Sequence, residues 1–110
     1  MANKINYSPN SLKNIEEIIS YIENDLDNKK AAENMLNGIL EKIDLLKDFP
    51  ELGKEYCFEN GVSTGYRFLI YKSYIIFYRL NDKKEIFIDL IVHETQNYKK
   101  LLNIKDNEDE

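Results

Sequence analysis

The sequence predicts a single α+β domain in which an antiparallel pair of helices packs on an antiparallel sheet. Three observations predict it. Two apolar stripes at spacings of three and four, each opened by a capping residue, lie between residues 9 and 46. Short apolar and aromatic strands then follow in close succession through "GYRFLIYKSYIIFYRLNDKKEIFIDLIVHETQNY", residues 65–98. A chain of 110 residues is also near the commonest domain size and leaves no room for a second core.

The elements follow in order. "KINYS" (4–8) is a short strand. Ser8 caps a first helix with Pro9 at its first position, where a missing N–H costs nothing. Leu12, Ile15, Ile18, Ile19, Ile22 and Leu26 form its stripe, carrying the helix to about Asp25. Asp27 or Asn28 caps a second helix with the stripe Ala32, Met35, Leu36, Ile39, Ile43 and Leu46. "DFPELG" ends it, because Pro50 disfavours helix at Phe49 and Gly53 frees the chain. Residues 53–64 read as loop, and the acidic tail 103–110 reads as disordered.

Composition excludes several chemistries. One cysteine, Cys57, rules out an internal disulfide, and one cysteine with one histidine rules out the usual structural zinc clusters. No phosphate loop, dinucleotide fingerprint or nucleophile elbow occurs, so neither a cofactor nor a metal is expected. No apolar run is long enough to span a membrane and "MANKINYSPN" has no apolar targeting core, so the cytoplasm is the expected location. Residues 8–51 hold five basic and ten acidic side chains, whereas residues 62–102 hold seven basic and four acidic. That bias is too weak to predict nucleic-acid binding by charge alone.

The sheet holds the main signal. A two-residue turn at Lys72 and Ser73 pairs Tyr71 with Tyr74, Ile70 with Ile75, Leu69 with Ile76, Phe68 with Phe77 and Arg67 with Tyr78. A four-residue turn at 81–84 pairs Arg79 with Ile86, Tyr78 with Phe87, Phe77 with Ile88, Ile76 with Asp89 and Ile75 with Leu90. Alternation places Phe68, Ile70, Ile75, Phe77, Ile86, Ile88, Leu90 and Val92 on one face, expected under the helices. The other face holds Arg67, Leu69, Tyr71, Tyr74, Ile76, Tyr78, Phe87, Asp89, Ile91 and His93. It is too apolar for a solvated surface and is expected to bind a partner. A register slip, or cover by Tyr98, Leu101 and Leu102, is the alternative that would bury this patch internally.

The ordered set of a short strand, a helical hairpin, "FPELG", "GYR", "YIIFYR", "IFIDLIVH" and "NYKKLL" resembles the RelE/ParE superfamily, the toxins of type II toxin–antitoxin modules. The resemblance spans residues 4–102 and implies one toxin domain over residues 1–102. It implies a cognate antitoxin that covers apolar grooves of the toxin, with operator DNA met only through that antitoxin. The apolar patch would also admit a second copy, giving a homodimer.

Two branches of the superfamily imply different targets. RelE-like members cleave mRNA on the ribosome, while ParE-like members are not enzymes and stall DNA gyrase with cleaved DNA. The "GYR…FYR…IVH" block after two long helices, with an acidic chain, is closer to ParE. That branch implies growth arrest through gyrase and a role in plasmid stabilisation. Under the ribonuclease alternative, Arg67 and Arg79 would hold phosphate while His93 or Tyr98 moved the proton. The register splits that set, because it places Arg79 on the face opposite Arg67 and His93. A family member that binds antitoxin but has lost toxicity is the third reading.

Overall fold

The computed structural model describes residues 3–102, so the tail expected to be disordered lies outside the described residues. Strand β1 (Ile5–Tyr7) leads into helix α1 (Pro9–Ser20). Ser8 caps α1 as expected, its hydroxyl oxygen accepting from the Ser11 amide at 3.0 Å. The helix continues through one π turn, Tyr21–Asp25, in which the Leu26 amide reaches the Tyr21 carbonyl. Asp27 then adopts a left-handed backbone (φ 48°), and Asn28 caps α2 (Lys29–Asp44) through its side chain. Four strands follow: β2 (Lys54–Cys57), β3 (Ser63–Tyr71), β4 (Tyr74–Leu80) and β5 (Ile86–His93). The short helix α3 (Tyr98–Leu101) closes the described chain.

The sheet order is β1-β5-β4-β3-β2. It is antiparallel except where β1 runs parallel to β5. Strand β2 corrects the expectation of a loop over 53–64. "KEYC" carries no apolar alternation, and only its pairing with Lys54 opposite Phe68 and Tyr56 opposite Tyr66 makes it a strand.

All five expected β3–β4 pairs are observed, with Lys72 left-handed (φ 54°) in the two-residue turn. The β4–β5 register differs. Leu80 pairs with Ile86 across a five-residue connection, Arg79 with Phe87 and Tyr78 with Ile88, but Phe77 pairs with Leu90, Ile76 with Ile91 and Ile75 with Val92. Asp89 is therefore the extra residue of a bulge. The Ser8 hydroxyl donates to its carbonyl at 3.1 Å, and the Asn14 side chain accepts from the Ile91 amide at 3.0 Å. The start of α1 thus holds the bulge in place.

The bulge changes which residues share a face. Ile86 and Ile88 join Leu69, Ile76, Tyr78 and Ile91 beneath Ile15, Ile18, Ile22, Ala32, Ile39, Ile43 and Leu46. The helices therefore cover the face that alternation assigned to a partner. Leu69, Ile76, Tyr78 and Ile91 are buried core, not a docking patch. The face expected under the helices carries instead Phe68, Ile75, Phe77, Leu90 and Val92, packed against Tyr56, Tyr66, Tyr98 and Leu102. Both faces are apolar, so alternation alone could not say which one takes the helices. Ile70 is 56% exposed at the margin of this outer face.

Two glycines test the packing. A Cβ at Gly53 would lie 2.7 Å from the Tyr78 ring and 2.8 Å from the Phe68 carbonyl, and neither group can move cheaply. A Cβ at Gly38 would strike only the end of the Tyr71 side chain. Gly53→Ala is expected to cost about 2 kcal/mol in urea unfolding. Gly38→Ala is expected to cost less than half of that, since Tyr71 can rotate and alanine gains about 1 kcal/mol of helix propensity.

Candidate partner-binding surfaces

Tyr78 is the most deeply placed polar side chain of the sheet. A tyrosine on the core face of a central strand needs a partner for its hydroxyl. Here the hydroxyl donates to the Pro50 carbonyl at 2.8 Å and accepts from the Gly53 amide at 2.9 Å. One residue across the ladder, Arg67 Nη1 donates to the Gly53 carbonyl at 2.8 Å and to the Glu51 carbonyl at 3.4 Å. Lys84 pairs with the Glu51 carboxylate from the β4–β5 connection. Loop 50–53 is thus pinned to the sheet by side chains of β3, β4 and the connection. Arg67 and Tyr78, expected to meet a partner, are directed at this chain's own loop.

The remaining candidates separate into two ends and two faces. Tyr71 and Tyr74 pack at the margin of the helix-side core. The His93 ring stands edge-on to Tyr74 at 5.4 Å between centroids. The Thr95 amide donates to His93 Nδ1 at 3.2 Å, which puts the proton of the neutral ring on Nε2. On the outer face Arg79 forms an ion pair with Asp89 and lies over the Phe87 ring, 5.5 Å from its centroid. The hydrogen bond that Arg79 donates to the Asp89 carboxylate pushes the Arg79 pKa up, so that arginine holds its proton firmly. Tyr98 is on the same face but engaged elsewhere, 5.3 Å from Phe77 and 5.9 Å from Tyr56. The split expected between Arg67 with His93 and Arg79 is therefore present.

Sequence reading missed the outer aromatic cluster of Tyr56, Tyr66, Phe68, Phe77 and Tyr98, because it depends on β2 and on α3 folding back over the sheet. Centroids from Tyr56 lie at 6.4 Å to Phe68 and 5.5 Å to Phe77, distances at which tilted aromatic pairs attract. Burial raises the Tyr66 phenol, and the nearby Asp89 carboxylate raises it further. A cleft of about 410 Å³ beside this cluster is lined by Glu51, Glu55 and Asp82 as well as Arg67 and Lys84. With acids balancing bases it has no single-sign field to hold a phosphate. Among the described residues no group of three histidine, cysteine or carboxylate side chains could hold a metal ion. No described helix is long and apolar enough to cross a membrane.

Two solved structures share this fold. One similar structure comes from the chromosomal ParDE toxin–antitoxin system of P. aeruginosa, with a TM-score of 0.68, 18% identity, and coverage of 84% of this chain and 96% of that one. Another comes from the toxin–antitoxin complex RelBE2 of Mycobacterium tuberculosis, with a TM-score of 0.61, 14% identity, and coverage of 84% and 99%. No curated protein matches the sequence. The fold is that of type II toxins of the RelE/ParE superfamily. The family described as ParE toxin of the type II toxin–antitoxin system, parDE, matches residues 5–98, and the chain belongs to it.

The pinned loop makes stability depend on the state of Tyr78. Burial raises its pKa above 10.0 by more than the Gly53 amide and Arg67 lower it. An acid whose folded pKa is raised contributes stability that is full below its unfolded value and lost as pH climbs through the folded one. Burial raises the Tyr7 and Tyr74 phenols too, so they add to the loss. Urea unfolding should therefore show stability level at neutral pH and falling as the pH climbs past 10.0, the ordinary value of a tyrosine. Tyr78→Phe should weaken that fall, and at neutral pH it should cost about 1–3 kcal/mol by leaving the Gly53 amide and the Pro50 carbonyl unpaired.

Proposed function

We propose that the chain arrests growth by inhibiting DNA gyrase and is held inactive by a cognate antitoxin. The observation that carries this reading is the dispersal of the four side chains that the ribonuclease alternative would use, Arg67, Arg79, His93 and Tyr98. Such an enzyme needs, within one site, a base for the 2′-OH, an acid for the leaving oxygen and a free cation at the phosphate. Here Arg67 is spent on loop carbonyls and Arg79 on Asp89, while His93 and Tyr98 are engaged at separate places. A gyrase inhibitor requires none of these to converge, because it acts by fit to its target. Membership in the ParE toxin family supports the same target.

Similarity to chains from ParDE and RelBE2 toxin–antitoxin systems supports an antitoxin as the standing partner. We assign the antitoxin's contacts to the expected side chains that keep accessible surface: Tyr71, Tyr74, Phe87 and His93. The acidic helical half is unsuited to a ribosomal RNA surface, which rewards dense positive charge.

The test is biochemical. Purified chain added to gyrase, ATP and plasmid should make cleaved plasmid accumulate, and His93→Ala and Tyr98→Ala should stay within a few-fold of the parent. Ribosome-dependent cuts in mRNA, lost by about 10²–10⁴-fold in either variant, would establish the ribonuclease instead. Full growth on induction, with antitoxin still bound, would mark a member that has lost toxicity.

A further inference from the structure

Two Asn-Gly pairs occur in the sequence, Asn37-Gly38 and Asn60-Gly61. Such pairs matter chemically because a glycine has no side chain to keep its amide nitrogen from attacking the preceding asparagine. Both asparagines are exposed, so contact with solvent does not separate them. The backbone does. Asn37 and Gly38 lie in the interior of α2, where the Gly38 N–H belongs to the helical ladder. The Tyr71 hydroxyl also fills the space beside the Gly38 Cα. Closing a ring between these two residues requires the helix to open locally.

Asn60 and Gly61 lie instead at the tip of the β2–β3 hairpin. The Val62 amide donates to Asn60 Oδ1 at 3.0 Å, an Asx turn that folds the side-chain carbonyl back along the chain and draws electron density from Cγ. Gly61 is in the left-handed region (φ 90°), and a Cβ there would meet nothing within 4 Å. Water and base therefore have access to its amide. One bond opposes the reaction, from the Gly61 N–H to the Phe58 carbonyl at 2.9 Å. A single turn bond at an exposed tip opens far more readily than the middle of a helix.

We propose that Asn60 is a site of spontaneous deamidation in the folded protein. The Gly61 N–H gives its proton to a solvent base, and the nitrogen attacks Asn60 Cγ. The Cγ–Nδ2 bond breaks, the nitrogen leaves as ammonia with a proton from water, and a succinimide remains. Water then opens that ring at either carbonyl, leaving aspartate or isoaspartate at position 60. Either product places a negative charge beside Glu59, and isoaspartate also lengthens the main chain at the tip. The bond from the Phe58 amide to the Val62 carbonyl, 2.8 Å, depends on that spacing. Its loss loosens the end of β2, next to Tyr56 of the outer cluster. The inference goes beyond the gyrase reading and does not depend on it.

The test uses the purified full chain held in neutral and in mildly alkaline buffer, with and without urea. Peptide mapping by mass spectrometry reads deamidation at each asparagine, and an isoaspartyl methyltransferase with a labelled methyl donor reads isoaspartate. In the folded chain Asn60 should react about tenfold or more faster than Asn37. In urea the two rates should come within a few-fold of each other. The Asn60 rate should rise with pH, because the attacking nitrogen first loses its proton, and Asn60→Gln should remove most of the methylation. In the isolated isoaspartate form the Phe58 amide should exchange about tenfold faster, with Ile76 unchanged. An Asn60 that is stable in the folded chain yet reactive in urea would overturn the proposal. So would Asn37 reacting as fast as Asn60, or a difference between them that persists in urea. A Phe58 amide that exchanges as before would overturn the loosening of the hairpin.

Discussion

The hydroxyl of Tyr78 is the point from which much of this structure is set. A tyrosine fully buried in a central strand has to satisfy its oxygen within the protein, and loop 50–53 supplies both a donor and an acceptor. That demand fixes Gly53 as a residue without a side chain, since the Tyr78 ring occupies the space where a Cβ would sit. It also brings the Gly53 carbonyl within reach of Arg67. The "FPELG", "GYR" and "FYR" stretches are therefore three parts of one contact. Within them Gly53, Arg67 and Tyr78 tie the loop that follows helix α2 to the sheet.

The same contact shapes the surface. By drawing the chain inward at Gly53, it starts β2 late, so that among the described residues no strand pairs with residues 69–71 of β3 on that side. The outer face is closed by aromatic packing of Tyr56, Phe77 and Tyr98, and its arginine is neutralised by Asp89. Lys42 and Lys54, which form no ion pair among the described residues, line a groove beside β3.

Much of the fold was legible in the sequence where local rules act alone. Ser8-Pro9 and Asn28 mark helix starts by capping chemistry, and the spacing from Ile15 to Ile22 and from Ala32 to Leu46 marks their buried stripes. The β3–β4 register followed from alternation and a two-residue turn. What failed depended on distant partners. The bulge at Asp89 is held by Ser8, 81 residues away in sequence, and nothing local in "IFIDLIVH" announces it. A one-residue shift moved Ile86 and Ile88 to the other face without exposing an apolar side chain, because both faces are apolar. For the site, the split of Arg67 and His93 from Arg79 was legible, whereas the outer aromatic cluster was not. One signal for the pinned loop was available: a tyrosine amid the apolar "YIIFYR" run requires a hydroxyl partner, and the glycine of "FPELG" offers the room.

The measurement that tests the central claim most directly is hydrogen exchange at the Gly53 amide. Gly53 is in a loop by sequence, yet its N–H is bonded to a buried hydroxyl. The account predicts exchange as slow as that of β4 core amides such as Ile76, governed by global unfolding. Exchange as fast as that of the exposed turn at Asn60 and Gly61 would contradict it, and would return Arg67 and Tyr78 to the list of residues free to act on a partner.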